Sequence, residues 1–339
     1  MLDPKREREK IAAVIEQTPE EYREYTPLLW STIFELSRSY QHKRIGASTP
    51  LTEKINAAVE NTPRLFPERA SVACQGLEGS NAQLACDKLF RNPNILYLSS
   101  FDAVFSAIEK GLCRYGVIPV ENSTAGSVNA VYDRMMHHNF YVVRSVRMKI
   151  DHNLLVKPGV KREDIREIYS HEQALNQCSD FLATFPNARI IPCENTAVAA
   201  RTVAESESGD KAAIASRACV AVYGLTCLQS SVQNSEDNYT RFICIGKELE
   251  VFPGANRTSV MLVLRHEPGS LYKILARLYA LDINLIKLES RPLPGRPFEF
   301  MFYFDLETPV YSPRLIQWIG EMPDACEFFQ YLGSYAEEV

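Results

Sequence analysis

The chain lacks several features that would have fixed its class at once. No apolar run in its 339 residues approaches the span of a membrane helix, and the N-terminus (MLDPKREREK) is charged where a signal peptide is apolar. Its nine cysteines are odd in number, scattered and never spaced CxxC, which points to buried free thiols rather than a disulfide framework or a zinc site. The six histidines (42, 137, 138, 152, 171 and 266) share no metal-ligand spacing, and His137 and His138 read as surface residues at a helix end. Neither GxGxxG nor GxxxxGK[ST] occurs, so the glycine-bearing stretch at 76–80 is no dinucleotide fingerprint. An excess of basic charge is also missing. The net charge of −5 argues against a nucleic-acid partner. These absences lead us to expect a cytoplasmic protein with no membrane or nucleic-acid partner, no metal and no cofactor.

What is present is an ordinary globular composition, 46% hydrophobic and 23% charged, long enough for two or three domains. Residues 4–17 and 21–43 read as helices broken at Thr18-Pro19. The second carries an apolar stripe of Tyr25, Leu29, Ile33, Leu36 and Tyr40, with Ser37 and Gln41 sharing one face four residues apart. Residues 1–44 thus form a helical arm, taken from the pattern alone as a dimerisation arm, and 45–69 read as a linker around a short helical patch.

From Ser71 short apolar strands alternate with helical periods. The strands are Ser71–Gln75, Ile95–Leu98, Tyr115–Val120, Ile165–Tyr169, Arg189–Pro192 and Ala212–Ala215. The helices lie near 81–90, 101–110, 127–137, 172–184, 196–206 and 217–224. This order predicts a largely parallel sheet with helices on both faces over residues 70–247. Small polar residues gather at the joints: Gly76–Ser80, Glu121–Ser127, Ser170–Leu175, Glu194–Thr196 and Ser216. In an open α/β sheet such joints lie at the carboxyl ends of strands, where ligands bind and helix N-termini favour anions. Taken singly, each is an N-cap.

The stretch Asn238-Tyr239-Thr240-Arg241-Phe242 opens another strand. Arg241 offers a fork suited to a carboxylate, and Asn238 and Thr240 add neutral donors. On composition alone it is a polar strand end with a surface arginine. Residues 256–335 follow strand (Ser259–Leu264), helix (Leu271–Leu281), strand (Ile283–Leu288), strand (Glu299–Leu306), helix (Pro313–Glu321), strand (Cys326–Tyr331), the βαββαβ order of a ferredoxin-like α+β domain.

Asn-x-Thr-Arg-Phe resembles the signature of prephenate dehydratases. Ile118–Ser123, Asp151–Leu155, Ser170–Leu175, Ala213–Ser216 and Tyr223–Leu225 resemble further motifs of that family in the expected order. The resemblance covers residues 70–332. It implies a two-lobed catalytic domain like a periplasmic binding protein, and a lyase that expels CO2 and hydroxide from prephenate to leave phenylpyruvate, on the way to phenylalanine. It implies Thr240 as the hydroxyl serving the departing group, with His171 or Glu121 as alternative proton sources. Asn122, Ser123, Thr124, Ser170, Gln173, Asn238, Arg241 and Phe242 are then the substrate-binding set, with Arg241 open between carboxylate anchor and structural ion-pair partner. The family has an aromatic and Ser where this chain has Asn81-Ala82, which weighs against side-chain roles for that loop.

Pro268–Leu271 and Glu289–Pro292 resemble the paired motifs of the ACT regulatory domain in phenylalanine-inhibited enzymes. They imply an effector site at Gly269, Ser270, Leu271, Glu289, Ser290, Arg291 and Pro292, and a homo-oligomer, dimer or tetramer. Asp3, Arg6, Glu7, Ser37 and Gln41 are similar to the second and third helices of an all-helical chorismate mutase domain. The long first helix has no counterpart, so mutase activity is expected to be absent. Arogenate dehydratase and a non-catalytic amino-acid sensor are the alternative readings.

Overall fold

The computed structural model describes residues 4–45 and 49–339, with the backbone alone for residues 4, 39 and 42–45. The chain divides into two compact units. One holds residues 1–64 and 250–336, the other residues 65–249 and 337–339.

In the first unit, helix α1 is Pro4–Gln17, α2 is Thr26–Ile45 and α3 is Pro50–Asn61. Helix α2 begins five residues later than the pattern 21–43 predicts. Pro27 has no N–H to give and is tolerated only in a first turn, so it sets the start, and Glu20–Tyr22 form a separate 3-10 turn. The stretch read as a linker holds α3, a complete helix. Thr49 caps it by accepting from the Thr52 N–H at 3.2 Å, Pro50 occupies its first turn, and Ile55 is fully buried.

The predicted apolar stripe faces outward: Tyr25, just before α2, and Leu29, Ile33, Leu36 and Tyr40 within it are each 41% to 61% exposed. The inner face of α2 is polar instead. Glu35, 8% exposed, accepts from Arg38 and from Arg277, the latter through Nε at 3.0 Å, and Arg38 also binds Glu7. Burial opposes ionisation of Glu35, but Arg277 and Arg38 outweigh it and hold the carboxyl below the usual range.

The second unit runs β1 (Ser71–Gln75), α4 (Asn81–Leu89), β2 (Asn94–Leu98), α5 (Phe101–Glu109), β3 (Tyr115–Asn122), β4 (Gly126–Ser127), α6 (Asn129–Met135), β5 (Tyr141–Lys149) and β6 (Asn153–Val156). It continues β7 (Glu167–His171), α7 (Glu172–Gln177), α8 (Ser179–Leu182), β8 (Arg189–Cys193), α9 (Thr196–Glu205), β9 (Lys211–Ala215), α10 (Ala218–Tyr223), β10 (Thr226–Gln229) and β11 (Tyr239–Gly246). Instead of one largely parallel sheet there are two mixed ones. The first has the order β5-β11-β3-β1-β2, with β4 paired to β3; the second has the order β10-β6-β9-β7-β8. The three-strand sets β3-β1-β2 and β9-β7-β8 are parallel, as their apolar runs require, whereas β11, β5, β6 and β10 pair antiparallel.

Two sheets make two α/β lobes, each with its own core. In the second, Leu154, Ile168 and Ile214 pack on one face and Leu155, Ala200 and Ala213 on the other. One joint of the first lobe is locked to the second. The Gly79 carbonyl accepts from Ser216 Oγ at 2.6 Å, and a Cβ on Gly79 (φ +85°) would stand 2.7 Å from Cys219 Sγ, so only glycine fits. His138 is no free surface residue. Its ring, 10% exposed, stacks on Phe105 and bridges Asp102 and Glu109.

Back in the first unit, β12 (Arg257–Val263), α11 (Ser270–Ala280), β13 (Asn284–Pro292), β14 (Phe300–Glu307), α12 (Pro313–Ala325) and β15 (Phe328–Tyr335) form an antiparallel sheet of order β13-β14-β12-β15. That is the ferredoxin-like arrangement, and it leaves β13 at an edge. The two-residue strand β16 (Glu337–Glu338) joins the second unit, beside β5. All nine cysteines are free, seven of them buried. Among the described residues no helix is long and apolar enough to cross a membrane, and no group of three His, Cys, Asp or Glu could hold a metal ion.

Candidate active site

The antiparallel direction of β11 creates the site. Its N-terminal entrance lies beside the carboxyl end of β3, with Thr240 opposite Asn122 and Arg241 opposite Glu121. Side chains alternate along a strand, so Thr240 and Arg241 point to opposite faces.

On the Thr240 face Asn122 is the hub. Its Oδ1 accepts the backbone N–H groups of Thr124 (3.2 Å) and Ala125 (2.9 Å) and the Thr124 hydroxyl (2.7 Å). Backbone N–H groups only donate, so that atom is oxygen and the amide orientation is fixed by chemistry. The Asn122 NH2 therefore faces Thr240 Oγ1 (2.9 Å), Asn238 Oδ1 (2.8 Å) and the Tyr239 carbonyl (3.2 Å). Thr240 Oγ1 is thus an acceptor toward Asn122, and its own proton has no acceptor among the described residues. The hydroxyl, in a residue 9% exposed, is set up to donate.

Gln177 extends the network. Its Nε2 donates to Thr124 Oγ1 at 2.6 Å, while its Oε1 accepts from Asn238 Nδ2 (3.0 Å) and from His152 Nε2 (2.9 Å). The helix read as 172–184 breaks at Cys178. Asn234 holds the break, donating to the Gln177 carbonyl (2.7 Å) and to Ser179 Oγ (2.8 Å). Gln177 is consequently the last residue of α7.

Beside this network lies a 440 Å³ cleft between the lobes, lined by Thr124 and Ala125 from one and His171, Glu172, Gln173, Asn176 and Gln177 from the other. Among the described residues, none that lines it is Lys or Arg. Thr240 sits one hydrogen-bonded residue behind the lining, through Asn122. His171 Nδ1 accepts the Gln173 N–H at 3.2 Å, which places the ring proton on Nε2.

The predicted residues separate accordingly. Thr124, His171 and Gln173 line the cleft, and Asn122, Asn238 and Thr240 form the buried network behind it. Five others stand elsewhere. Arg241, its side chain 7% exposed, faces Glu121 at 3.4 Å on the opposite face of the sheet, the geometry of an ion pair. Glu121 is thereby removed from the Thr240 face as a proton source. Ser123 Oγ donates to the Asp237 carbonyl and accepts the Tyr239 N–H, bracing the chain. Ser170, fully buried, donates to the Ile214 carbonyl across the sheet at 2.6 Å. Phe242 is core.

Gln177, His152 and Asn176 were missed from sequence. The signal for Gln177 was its place four residues after Gln173, on the same helical face.

In the first unit, Ser270 and Leu271 line a 410 Å³ pocket with Arg265, Glu267, Phe300 and Phe302, and Gly269 (φ +80°) precedes α11. Glu289, Ser290, Arg291 and Pro292 do not line that pocket; they lie on edge strand β13. In the arm, Glu7 is committed to Arg38, the Gln41 amide donates to Ser37 Oγ at 3.4 Å, Arg6 lies on α1, and Asp3 falls outside the described residues.

Burial holds the His152 imidazole below its ordinary value of 6.5, opposed by its hydrogen bond to Gln177 and the charge of Asp151. A depressed folded-state pKa adds stability above 6.5 that is lost as pH falls through the folded value. We expect the Tm advantage of the native protein over His152→Asn to be largest at pH 7 and to shrink on acidification below pH 6.5. A thermal melt series measures it, and a pH-independent advantage would contradict this account.

Known proteins resemble the chain over most of its length. The family model described as prephenate dehydratase matches residues 72–250. Arogenate dehydratase/prephenate dehydratase 2, chloroplastic, of Arabidopsis thaliana is 34% identical over 311 residues, spanning 88% of this chain and 81% of that protein. The bifunctional chorismate mutase/prephenate dehydratase of Escherichia coli (strain K12) is 30% identical over 283 residues, 81% of this chain and 73% of that one. Among solved structures, prephenate dehydratase from Arthrobacter aurescens in complex with L-Phe superposes with a TM-score of 0.72 at 25% identity, covering 78% of this chain and 90% of that chain. The chain belongs to the prephenate dehydratase family.

Proposed function

We propose that this protein is a lyase that decarboxylates and dehydrates prephenate to phenylpyruvate, with Thr240 as the group that donates to the departing hydroxyl. The observation that carries this reading is the Asn122 N–H to Thr240 Oγ1 bond, which leaves the threonine proton available. As the ring C–CO2 bond breaks, its electrons enter the ring and the opposite C–O bond breaks. A proton delivered to that oxygen lets it leave as water. Free threonine is a very weak acid, so transfer and departure are concerted. His171, its Nε2–H in the cleft, is the alternative donor.

The absence of Lys and Arg from the cleft lining suits this reaction. A bidentate cation on the ring carboxylate would stabilise the ground state and slow loss of CO2. Neutral polar side chains of the lining, Gln173 and Asn176 among them, hold the substrate without that penalty. Arogenate dehydration uses the same chemistry on the amino analogue and is kept as a second reading, because the Arabidopsis relative's name carries both activities.

We assign residues 250–336 as an ACT-type unit that binds phenylalanine and lowers activity, a reading supported by the phenylalanine complex of the Arthrobacter aurescens relative. The edge position of β13 in its sheet and the outward stripe of α2 suit a homo-oligomer, dimer or tetramer. With Glu7 bound to Arg38, the arm acts in assembly and not as a chorismate mutase. We place the protein in the cytoplasm.

The test compares kcat/KM for prephenate and arogenate, with and without phenylalanine. Turnover of prephenate suppressed by phenylalanine is expected. Turnover of arogenate alone would replace the first substrate with the second, and binding of both without turnover would favour a sensor.

A further inference from the structure

Residues 250–336 build one unit, yet the next residues, 337–339, belong to the other. Strand β15 ends at Tyr335, and two residues later Glu337 and Glu338 pair in parallel with Ser145 and Val146 of β5. The attachment is more than backbone. Glu337, its side chain 4% exposed, accepts from Arg147 Nη2 at 2.8 Å and from Ser145 Oγ at 3.4 Å. Glu338 accepts from Arg144 Nη1 at 2.5 Å, and the Arg144 guanidinium lies 4.3 Å from the Phe66 ring centroid.

Strand β5 is the neighbour of β11. Arg147, the partner of Glu337, stands opposite Arg241, and Met148 stands opposite Thr240. At its other end β11 leads through residues 247–256 into β12, and β12 is hydrogen-bonded to β15 from Arg257 opposite Tyr335 onward. Neighbouring strands of one sheet, β12 and β15, therefore connect along the chain to two neighbouring strands of the other, β11 directly and β5 through its pairing with β16.

We propose that Glu337 and Glu338 are positioning residues, a strap through which the unit of residues 250–336 transmits its ligand state to Thr240. This rests on reading that unit as phenylalanine-responsive. Strand β11 keeps its own register through β3 and β5, so the strap conveys a displacement and does not hold the site together. The two glutamates supply a contiguous physical link, in which Glu337 is buried and Arg144 half-buried while Arg147 lies exposed at the surface.

Two variants test the strap, a chain ended at Ala336 and the double substitution Glu337→Gln/Glu338→Gln, which keeps the backbone pairing. Both are expected to turn over prephenate at rates within about threefold of the intact chain, and to bind phenylalanine with unchanged affinity by calorimetry. The phenylalanine concentration for half-inhibition should rise by roughly tenfold or more in the truncated chain, within the usual range of allosteric coupling, and by less in the double variant. Amide exchange along β5 should quicken in the truncated chain. Inhibition of the truncated chain equal to that of the intact chain would overturn the strap alone. An intact chain that binds phenylalanine without losing activity would overturn the regulatory reading, and the strap's signal with it.

Discussion

Thr240→Ala is expected to lower kcat for prephenate by roughly 10²–10⁴-fold, the usual worth of a positioned proton donor, with KM within about threefold. The reason is the direction of one hydrogen bond. Because Asn122 donates to Thr240 Oγ1, the threonine proton is free for the leaving oxygen and matters only as that oxygen departs. A contact made only in the transition state appears in kcat. Steady-state kinetics with prephenate decide the matter. A rise in KM alone would make Thr240 a binding residue, and little change in either would pass the proton to His171.

Asn122→Asp should be nearly as damaging, although it changes one atom. The aspartate keeps the acceptor that takes the Thr124 and Ala125 N–H groups and loses the donor facing Thr240. The threonine hydroxyl then turns to donate to the carboxylate, and its proton points away from the cleft. We expect kcat to fall by roughly 10²–10³-fold, as when one preorganised donor is removed. Adding Thr240→Ala should cost little more, because the two residues act as a unit. Kinetics of both single variants and the double measure this, with thermal melts to show that the fold survives. Additive losses would contradict the linkage.

The parts of this account that were readable in the sequence are those carried by local pattern. Strands β1, β3 and β9 announced themselves as apolar runs, and the cleft is lined from the joints after β3 and β7. Strand β5 did not, because Arg144 and Arg147 interrupt its run and their partners, Glu338 and Glu337, stand about 190 positions away. The same limit explains Arg241. A fork at a strand entrance reads equally as an anchor or an ion-pair partner until pairing sets it against Glu121 on the far face. Ser123 and Ser170 looked like ligands because hydroxyls at strand ends often are; here backbone groups of distant segments use them. The stripe on α2 had helical period, but period says which residues share a face and not which way the face turns. The buried side of that helix belongs to Glu35 and its two arginines.

The central claim is that this cleft dehydrates prephenate through the Asn122-oriented hydroxyl of Thr240. The most direct measurement supplies the purified protein with prephenate and follows CO2 and phenylpyruvate together, beside the Thr240→Ala protein. Equal amounts of both products from the intact chain, and nearly none from the variant, are what this account predicts. Prephenate bound but unconverted by the intact chain, or converted equally by both proteins, would contradict it.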